Sequence, residues 1–455
     1  MKYGIDATWY QLREDEAALE LVKGILPELA AIINVAPNAQ RLSFRTLQRY
    51  APDKIPEEQL RKLDEALKRY GKGRGLTEGE KKKVERYQQM QKNRKVMKGT
   101  PVSYEEIVPG KPWLDVDGNP IQAHGGALFF EDGTYYWYGE NKEYTNGKNG
   151  IWTWGIRMYR SQDLYNWEDL GLIVEPDVSD PDSPLFPEKY VDRPHILYCK
   201  ATGNYVMWIK ISGPDSCFAI LRSDTLTGPY HLEKRNYYPE GSSVGDFDMV
   251  VDNDTEKAYL FMDSSPKSIT GYALTEDYMA VSHVVSRQYE NLTPPFCREG
   301  VALFEYAGKK YMITSGMSGY TPNQSEVAWA DRWTDPFETL GDPHVGDATM
   351  ASFNSQISQV FRIPGTDRYI ALADRWMPEH LLTGQEADSV RRVIASRYHP
   401  EKYQATQQER DQFQARPDLE RCNTSISTYV WLPLRVIDGM PQIVWKDHWK
   451  IEDET

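Results

Sequence analysis

Glu299 stands directly ahead of an apolar run, in F-C-R-E-G-V-A-L-F over residues 296–304. The run turns at Ala307-Gly308 and returns through Tyr311-Met312-Ile313, so the spacing predicts a β-hairpin with a carboxylate at its mouth. Gly300, beside it, leaves room for a ligand to approach the backbone. A lone turn glutamate is usually just solvated. This one reads as a general acid for cleaving sugars, because the hairpin recurs along the chain and other polar groups fall at the same end of the other copies.

Those positions hold His124 with Gly125-Gly126, then Asp192-Arg193-Pro194, then Asp246 and Asp248, then Glu299, then Gln356. Glu140 closes the strand Trp137-Tyr138-Gly139-Glu140 and reaches toward the same end. Carboxylates converging with one arginine and aromatic walls suit glycosidic cleavage. One group protonates the leaving oxygen, a second positions or activates water across the ring, and others clamp hydroxyls and raise the acid's pKa. No residue of the set is diagnostic alone. Asp248 could cap a strand, His124 could be a satisfied core histidine, and Arg193 could pair structurally with Asp192. Trp152 and Trp154, in N-G-K-N-G-I-W-T-W-G, are candidate sugar platforms, as are Tyr320 after Ser318-Gly319 and Trp376.

The elements that must position these groups are five hairpins, turning at Asp132-Gly133, Thr202-Gly203-Asn204, Asn253-Asp254, Ala307-Gly308 and Pro364-Gly365. Each returning strand carries a tyrosine soon after the turn: Tyr135, Tyr205, Tyr259, Tyr311 and Tyr369, separated by 70, 54, 52 and 58 residues. Further strand-like runs follow, such as residues 155–160 and 218–222. Units of this length with four short strands predict an all-β, five-bladed β-propeller over residues 101–455. A β-sandwich would not explain the repeated register. Residues 429–434 should complete the last blade, interrupted by a charged, helix-like insertion at about 378–424.

Residues 1–100 differ in texture and predict an N-terminal α-helical extension. Leu19, Leu21, Val22, Ile25, Leu26, Leu29, Ile32 and Ile33 recur at helical spacing. A second helix starts at Pro56, presents Leu60, Leu63, Leu67 and Tyr70 on one face, and stops at Gly71-Lys72-Gly73-Arg74-Gly75. Thr77 and Glu80 suit a capping box for a third helix, whose lysines and arginines read as a solvated face. This module is read as a docking or dimerisation element, through which the protein would form a homo-oligomer.

The 455 residues carry a net charge of −14, which argues against nucleic acid as the main partner. The 29 tyrosines and 13 tryptophans suit strands and sugar-stacking surfaces. Cys199, Cys217, Cys297 and Cys422 lie far apart and suggest neither a zinc site nor a disulfide framework. No apolar stretch is long enough for a bilayer, so no membrane partner is expected. The N-terminal residues show no signal-peptide pattern, and the expected location is cytoplasmic.

The motifs A-H-G-G-A, Y-Y-W-Y-G-E, D-R-P-H-I-L-Y, D-F-D-M-V-V-D-N-D, R-E-G-V-A-L-F, S-G-Y-T-P-N, F-N-S-Q-I-S-Q-V-F and Y-V-W-L-P-L, between about Trp113 and Trp449, resemble glycoside hydrolase family 43. Within it they most resemble the exo-β-1,3-galactanase and galactosidase branch. The resemblance implies a five-bladed propeller and an exo-acting, inverting hydrolase that releases galactose from β-1,3-galactan or galacto-oligosaccharides. By motif, Glu299 matches the general acid and Asp248 the carboxylate that tunes it. The first blade lacks the family's usual aspartate base, as the galactanase branch does, and Gln356 matches the glutamine thought to activate water there. Glu140, Asp192 and Arg193 match substrate-clamping positions, and either carboxylate could instead be the base. No cofactor is implied, although some propellers of this kind hold a channel calcium ion. An α-L-arabinofuranosidase or β-xylosidase, a non-catalytic glycan- or protein-binding propeller, and an assembly platform built on the helices are the rival readings.

Overall fold

Asp132 and Gly133, and again Ala307 and Gly308, both have positive φ (47° and 77°; 48° and 77°). Residues 131 and 134, and 306 and 309, pair directly across these turns. Two positive-φ residues between paired neighbours form the tight turn whose twist matches that of the flanking strands. Such hairpins begin sheets built from alternating apolar and aromatic residues. The computed structural model describes all residues except 1–2, 6, 13–14, 36–38, 41, 74, 96–97, 214–215, 242–243, 265–267, 418–420 and 455.

Five antiparallel sheets form the blades. Blade I runs through His124–Glu131, Thr134–Glu140, Ile156–Ser161 and Glu168–Val174. Blade II uses Tyr190–Cys199, Asn204–Ser212, Cys217–Ser223 and His231–Tyr237. Blade III uses Val244–Val251, Ala258–Ser264, Ser268–Leu274 and Val281–Gln288. Blade IV uses Arg298–Tyr306, Lys309–Gly316, Ser325–Ala330 and Glu338–Gly341. Blade V begins with Gln356–Arg362 and Tyr369–Arg375, and resumes after the insertion with Leu432–Ile437 and Met440–Val444. A short strand, His344–Val345, adds in parallel to its outer edge. The first strands of successive blades are neighbours, I to II through V to I, so the ring is closed and the protein is a five-bladed propeller.

Interleaved side chains hold the ring. Three of the repeated tyrosines act as struts between blades: Tyr205 donates its hydroxyl to Glu131, Tyr311 donates to Gly439 O at 3.0 Å, and Tyr369 donates to Glu305 O at 2.8 Å. The seam between blades I and V is a tryptophan cluster in which the Trp137 and Trp431 rings lie 4.5 Å apart. The Tyr429 hydroxyl donates to Ile121 O at 3.0 Å and accepts from Ala123 N at 2.9 Å across that seam. The insertion folds as two helices, Gly384–Tyr398 and Gln407–Ala415, each begun by a threonine–glutamate capping box.

A second compact unit comprises Met1–Arg94 with Asp177–Phe186 and Ser212–Cys217. The first apolar stretch forms two helices, Glu16–Ile25 and Pro27–Val35, because Pro27 lacks the amide that would carry one helix on. The second expected helix spans Glu57–Gly73, and Arg74 of the glycine-rich break lies outside the described residues. The capping box of Glu78–Lys92 is present: Glu80 N donates to Thr77 Oγ1 at 3.2 Å, and Thr77 N to Glu80 Oε2 at 2.8 Å. Val22, Leu26, Leu29, Leu60, Leu63 and Leu67 form the core of this unit. Among the described residues no helix is long and apolar enough to cross a membrane.

Candidate active site

The first strands of blades I, III, IV and V each break register near their beginnings, and the distortions bring backbone and polar side chains toward the axis. Gly125, Arg193 and Gly300 all have positive φ there, at 55°, 48° and 65°. A Cβ on Gly300 would stand 2.7 Å from Ser315 Oγ and 2.9 Å from Gln356 Nε2, and one on Gly125 would stand 2.4 Å from Glu140 Oε1. Only glycine lets these polar groups close in. Arg193 has no such excuse, and a non-glycine residue held in this region marks a strained position of the kind that clusters at functional sites.

A pocket opens at this end of the propeller. Glu299 and Gln356 line it with Ser315, Asp374, Tyr320 and Trp376, and Met377, His380 and Leu381 border it on the insertion side. Ser315 faces Glu299 across the blade IV hairpin and accepts a hydrogen bond from Gln356 Nε2 at 2.8 Å. Arg193 gathers the layer behind. It donates to Gln356 Oε1 at 3.3 Å, to Ile357 O at 3.0 Å and to Val301 O at 3.4 Å, and its Nε lies 3.3 Å from Asp246 Oδ2. Asp246 also accepts from the amide of Gly300, the residue after Glu299, and from Lys210 Nζ at 2.6 Å. Burial opposes charge on Asp246, but Arg193 and Lys210 outweigh it and hold this carboxylate well below the usual range.

On the blade I–II side, Arg193 N donates to Glu140 Oε1 at 3.0 Å, and Lys142 Nζ lies 2.8 Å from Glu140 Oε2. Burial pushes Glu140 up to about 7, with Asp192 adding to the rise and Lys142 opposing it. Trp152 donates Nε1 to Asp192 Oδ1 at 2.7 Å. The arrangement therefore offers a carboxyl group and an amide on one pocket wall, an ionised carboxylate bonded to the amide of Gly300, and the carboxyl groups of Glu140 and Asp192 behind. Among the described residues no three His, Cys, Asp or Glu side chains are gathered as a metal ion would require.

The family profile described as Glycosyl hydrolases family 43 matches residues 121–370, more than half of the chain. The chain belongs to this family. The family is one of glycoside hydrolases. Among solved structures, a GH43 β-1,3-galactosidase superposes with a TM-score of 0.60 at 26% identity, over 76% of this chain and 64% of that one. This family 43 chain thus spans just under two thirds of that relative's length. An exo-β-1,3-galactanase from Phanerochaete chrysosporium gives a TM-score of 0.60 at 23% identity, covering 77% of this chain and 70% of that one. Another, from Clostridium thermocellum, gives 0.57 at 24% identity, covering 76% and 67%. No curated protein matches the chain by sequence.

The family 43 fold places the expected residues unevenly. Glu299, Gln356, Tyr320 and Trp376 meet at the pocket, with Arg193, Glu140 and Asp192 in the layer joined to it. Asp248 does not join that layer through any of these contacts. Its oxygens accept from Met249 N and Leu303 N, each at 2.7 Å, and one lies 3.3 Å from His195 Nδ1. Two residues along a strand keep the same face but shift the side chain by about 7 Å. Asp246, not Asp248, therefore holds the amide next to Glu299. Burial pushes Asp248 up to about 7.

His124 is wholly enclosed, its ring stacked on Tyr429 at 4.9 Å and its Nδ1 3.1 Å from Asp374 Oδ1, so it braces the site from behind. Trp154 is likewise core, packed edge-on to Tyr144 at 5.1 Å. Trp152 is 5% exposed and serves to hold Asp192 rather than to offer an open platform. Lys142, Lys210 and Ser315 were missed as site residues. A lysine on an otherwise apolar strand, as in V-M-W-I-K, was the available signal for Lys210.

Proposed function

We propose that this chain is an exo-acting, inverting hydrolase that releases galactose from β-1,3-galactan or galacto-oligosaccharides. The observation that carries the reading is the shared pocket wall of Glu299 and Gln356, bridged by Ser315, with Asp246 bonded to the amide beside the acid. Glu299 is the general acid. The ionised Asp246 takes the tuning role, because a fixed negative charge nearby favours a proton on a neighbouring carboxyl. Gln356 orients the attacking water, its amide held by Arg193 and Ser315. Glu140 and Asp192 accept sugar hydroxyls, while Tyr320 and Trp376 provide the aromatic wall. Galactose and the β-1,3 linkage are supported by the galactosidase relative at 26% identity. The reaction needs water and no cofactor.

The test is a panel of β-1,3-galactobiose, β-1,3-galactan, arabinofuranosides and xylosides, with proton NMR following the anomer first released. Galactose appearing first as the α anomer is expected from an inverting enzyme acting on a β linkage. The β anomer appearing first overturns inversion, and turnover confined to arabinofuranosides or xylosides overturns the substrate.

A further inference from the structure

Lys142 is fully enclosed beside the pocket, and no step proposed above uses it. Its Nζ lies 2.8 Å from Glu140 Oε2 and donates to Trp152 O at 3.0 Å and Thr153 Oγ1 at 3.1 Å. The same atom stands 4.0 Å from the Trp152 ring centre and 5.8 Å from that of Trp376. Its backbone amide donates to Gln122 Oε1 at 3.2 Å. Burying an ammonium is costly unless partners compensate it, and here the partners are groups of the candidate site. Trp152 passes the restraint on, because its Nε1 holds Asp192 at 2.7 Å. One cation thus meets Glu140 directly and Asp192 through an indole.

We propose that Lys142 is a positioning residue for sugar binding, fixing Glu140 as a hydroxyl acceptor and, through Trp152, fixing Asp192, without touching sugar itself. The inference rests on the reading of this pocket as a glycosidase site. Around Glu140 stand Lys142, Asp192, the Tyr429 hydroxyl and the Arg193 amide. Burial and Asp192 favour the protonated form, while Lys142 and the Arg193 amide oppose it. Removing the Lys142 charge leaves the proton on Glu140 to higher pH. A protonated Glu140 accepts sugar hydroxyls poorly, so binding and the acid limb of the pH profile should change together.

The experiment uses the full chain as Lys142→Met, Lys142→Arg, Glu140→Gln and the Glu140→Gln/Lys142→Met double variant, with β-1,3-galactobiose as substrate. Lys142→Met should raise KM about tenfold, the loss expected from one charge-assisted contact. It should also move the acid limb of kcat/KM up by about one pH unit, as loss of a nearby opposite charge does. Lys142→Arg should restore the limb. In the Glu140→Gln background the lysine change should move no limb but should still raise KM through Trp152 and the Asp192 it holds. A folded Lys142→Met with unchanged KM and limb overturns the inference. If that variant does not fold, the double variant, which leaves no unpaired Glu140 charge, decides: a KM equal to that of Glu140→Gln overturns it and a higher one supports it. A wild-type chain that turns over no glycoside overturns the hydrolase reading instead. Tryptophan-fluorescence titration with galactose then decides on Lys142: binding about tenfold weaker in Lys142→Met supports the role, and equal binding overturns it.

Discussion

Replacing Gly300 with alanine should cripple turnover while leaving the propeller folded. The position has φ of 65°, and alanine in the left-handed region costs about 1–2 kcal/mol. The added methyl would sit 2.7 Å from Ser315 Oγ, 2.9 Å from Gln356 Nε2 and 3.2 Å from Gln356 Cδ. Normal contact needs about 3.5 Å, so the Gln356 amide must retreat by roughly half an ångström or more. It cannot retreat freely, because Ser315 holds it at 2.8 Å and Arg193 at 3.3 Å. A displacement approaching 1 Å in a catalytic group can cost about 100-fold in rate, or roughly 2.7 kcal/mol of barrier. Gly308, in the turn of the same hairpin, is the control: its φ is 77° and an added Cβ there meets nothing within 4 Å. Gly308→Ala should lose only the backbone cost in thermal unfolding and Gly300→Ala somewhat more, and only Gly300→Ala should lose kcat on β-1,3-galactobiose. If Gly300→Ala keeps the turnover of Gly308→Ala, Gln356 has no demanding geometry to protect and its proposed role fails.

Glu299→Gln should lower kcat by about 10²–10⁴ and leave galactose binding intact, checked by steady-state rates and calorimetry; appreciable turnover removes the acid assignment. Asp246→Asn should reduce kcat more than Asp248→Asn. Asp248→Asn should instead cost about 1–3 kcal/mol of stability in denaturant unfolding, because the amide side chain cannot satisfy both Met249 N and Leu303 N. The reverse pattern returns the tuning role to Asp248. The pH dependence of stability carries a sign of its own. Asp248 titrates at about 7 in the folded chain and near 3.8 when free, so its contribution is fully present below pH 3.8 and is lost as pH rises through 7. Asp248→Asn should flatten that fall across pH 4–7, and an unchanged slope in denaturant titrations contradicts the buried, proton-retaining carboxyl.

The propeller was legible because its signals are local and repeated. Asp132-Gly133 and Ala307-Gly308 announce tight turns, and the recurring tyrosine follows from a bridging job done in several blades, seen directly in Tyr205, Tyr311 and Tyr369. The identity of the pocket end was legible too, because the starts of first strands must converge when sheets surround an axis. Depth was not. Asp246 and Asp248 share a face, and alternation alone cannot say which reaches Glu299's neighbour. Enclosure was also hidden: Trp154 and His124 lie in runs as polar and glycine-rich as those of true pocket residues, and only tertiary contacts bury them. The parallel edge strand His344–Val345 escaped notice because two residues carry no periodicity.

The interrupted fifth blade orders events in time as the chain emerges from the ribosome. Gln356 is made early in that blade, yet the tryptophan seam that joins the last sheet to the first waits for Tyr429, Trp431 and the strand Leu432–Ile437. Until those residues appear, blade I meets only the first two strands of blade V, through contacts such as Leu128 N to Gln359 Oε1 at 2.7 Å, and the tryptophan seam between them is unfilled. Competence for cleavage therefore arrives late in synthesis, as a property of a finished circle rather than of any one sheet.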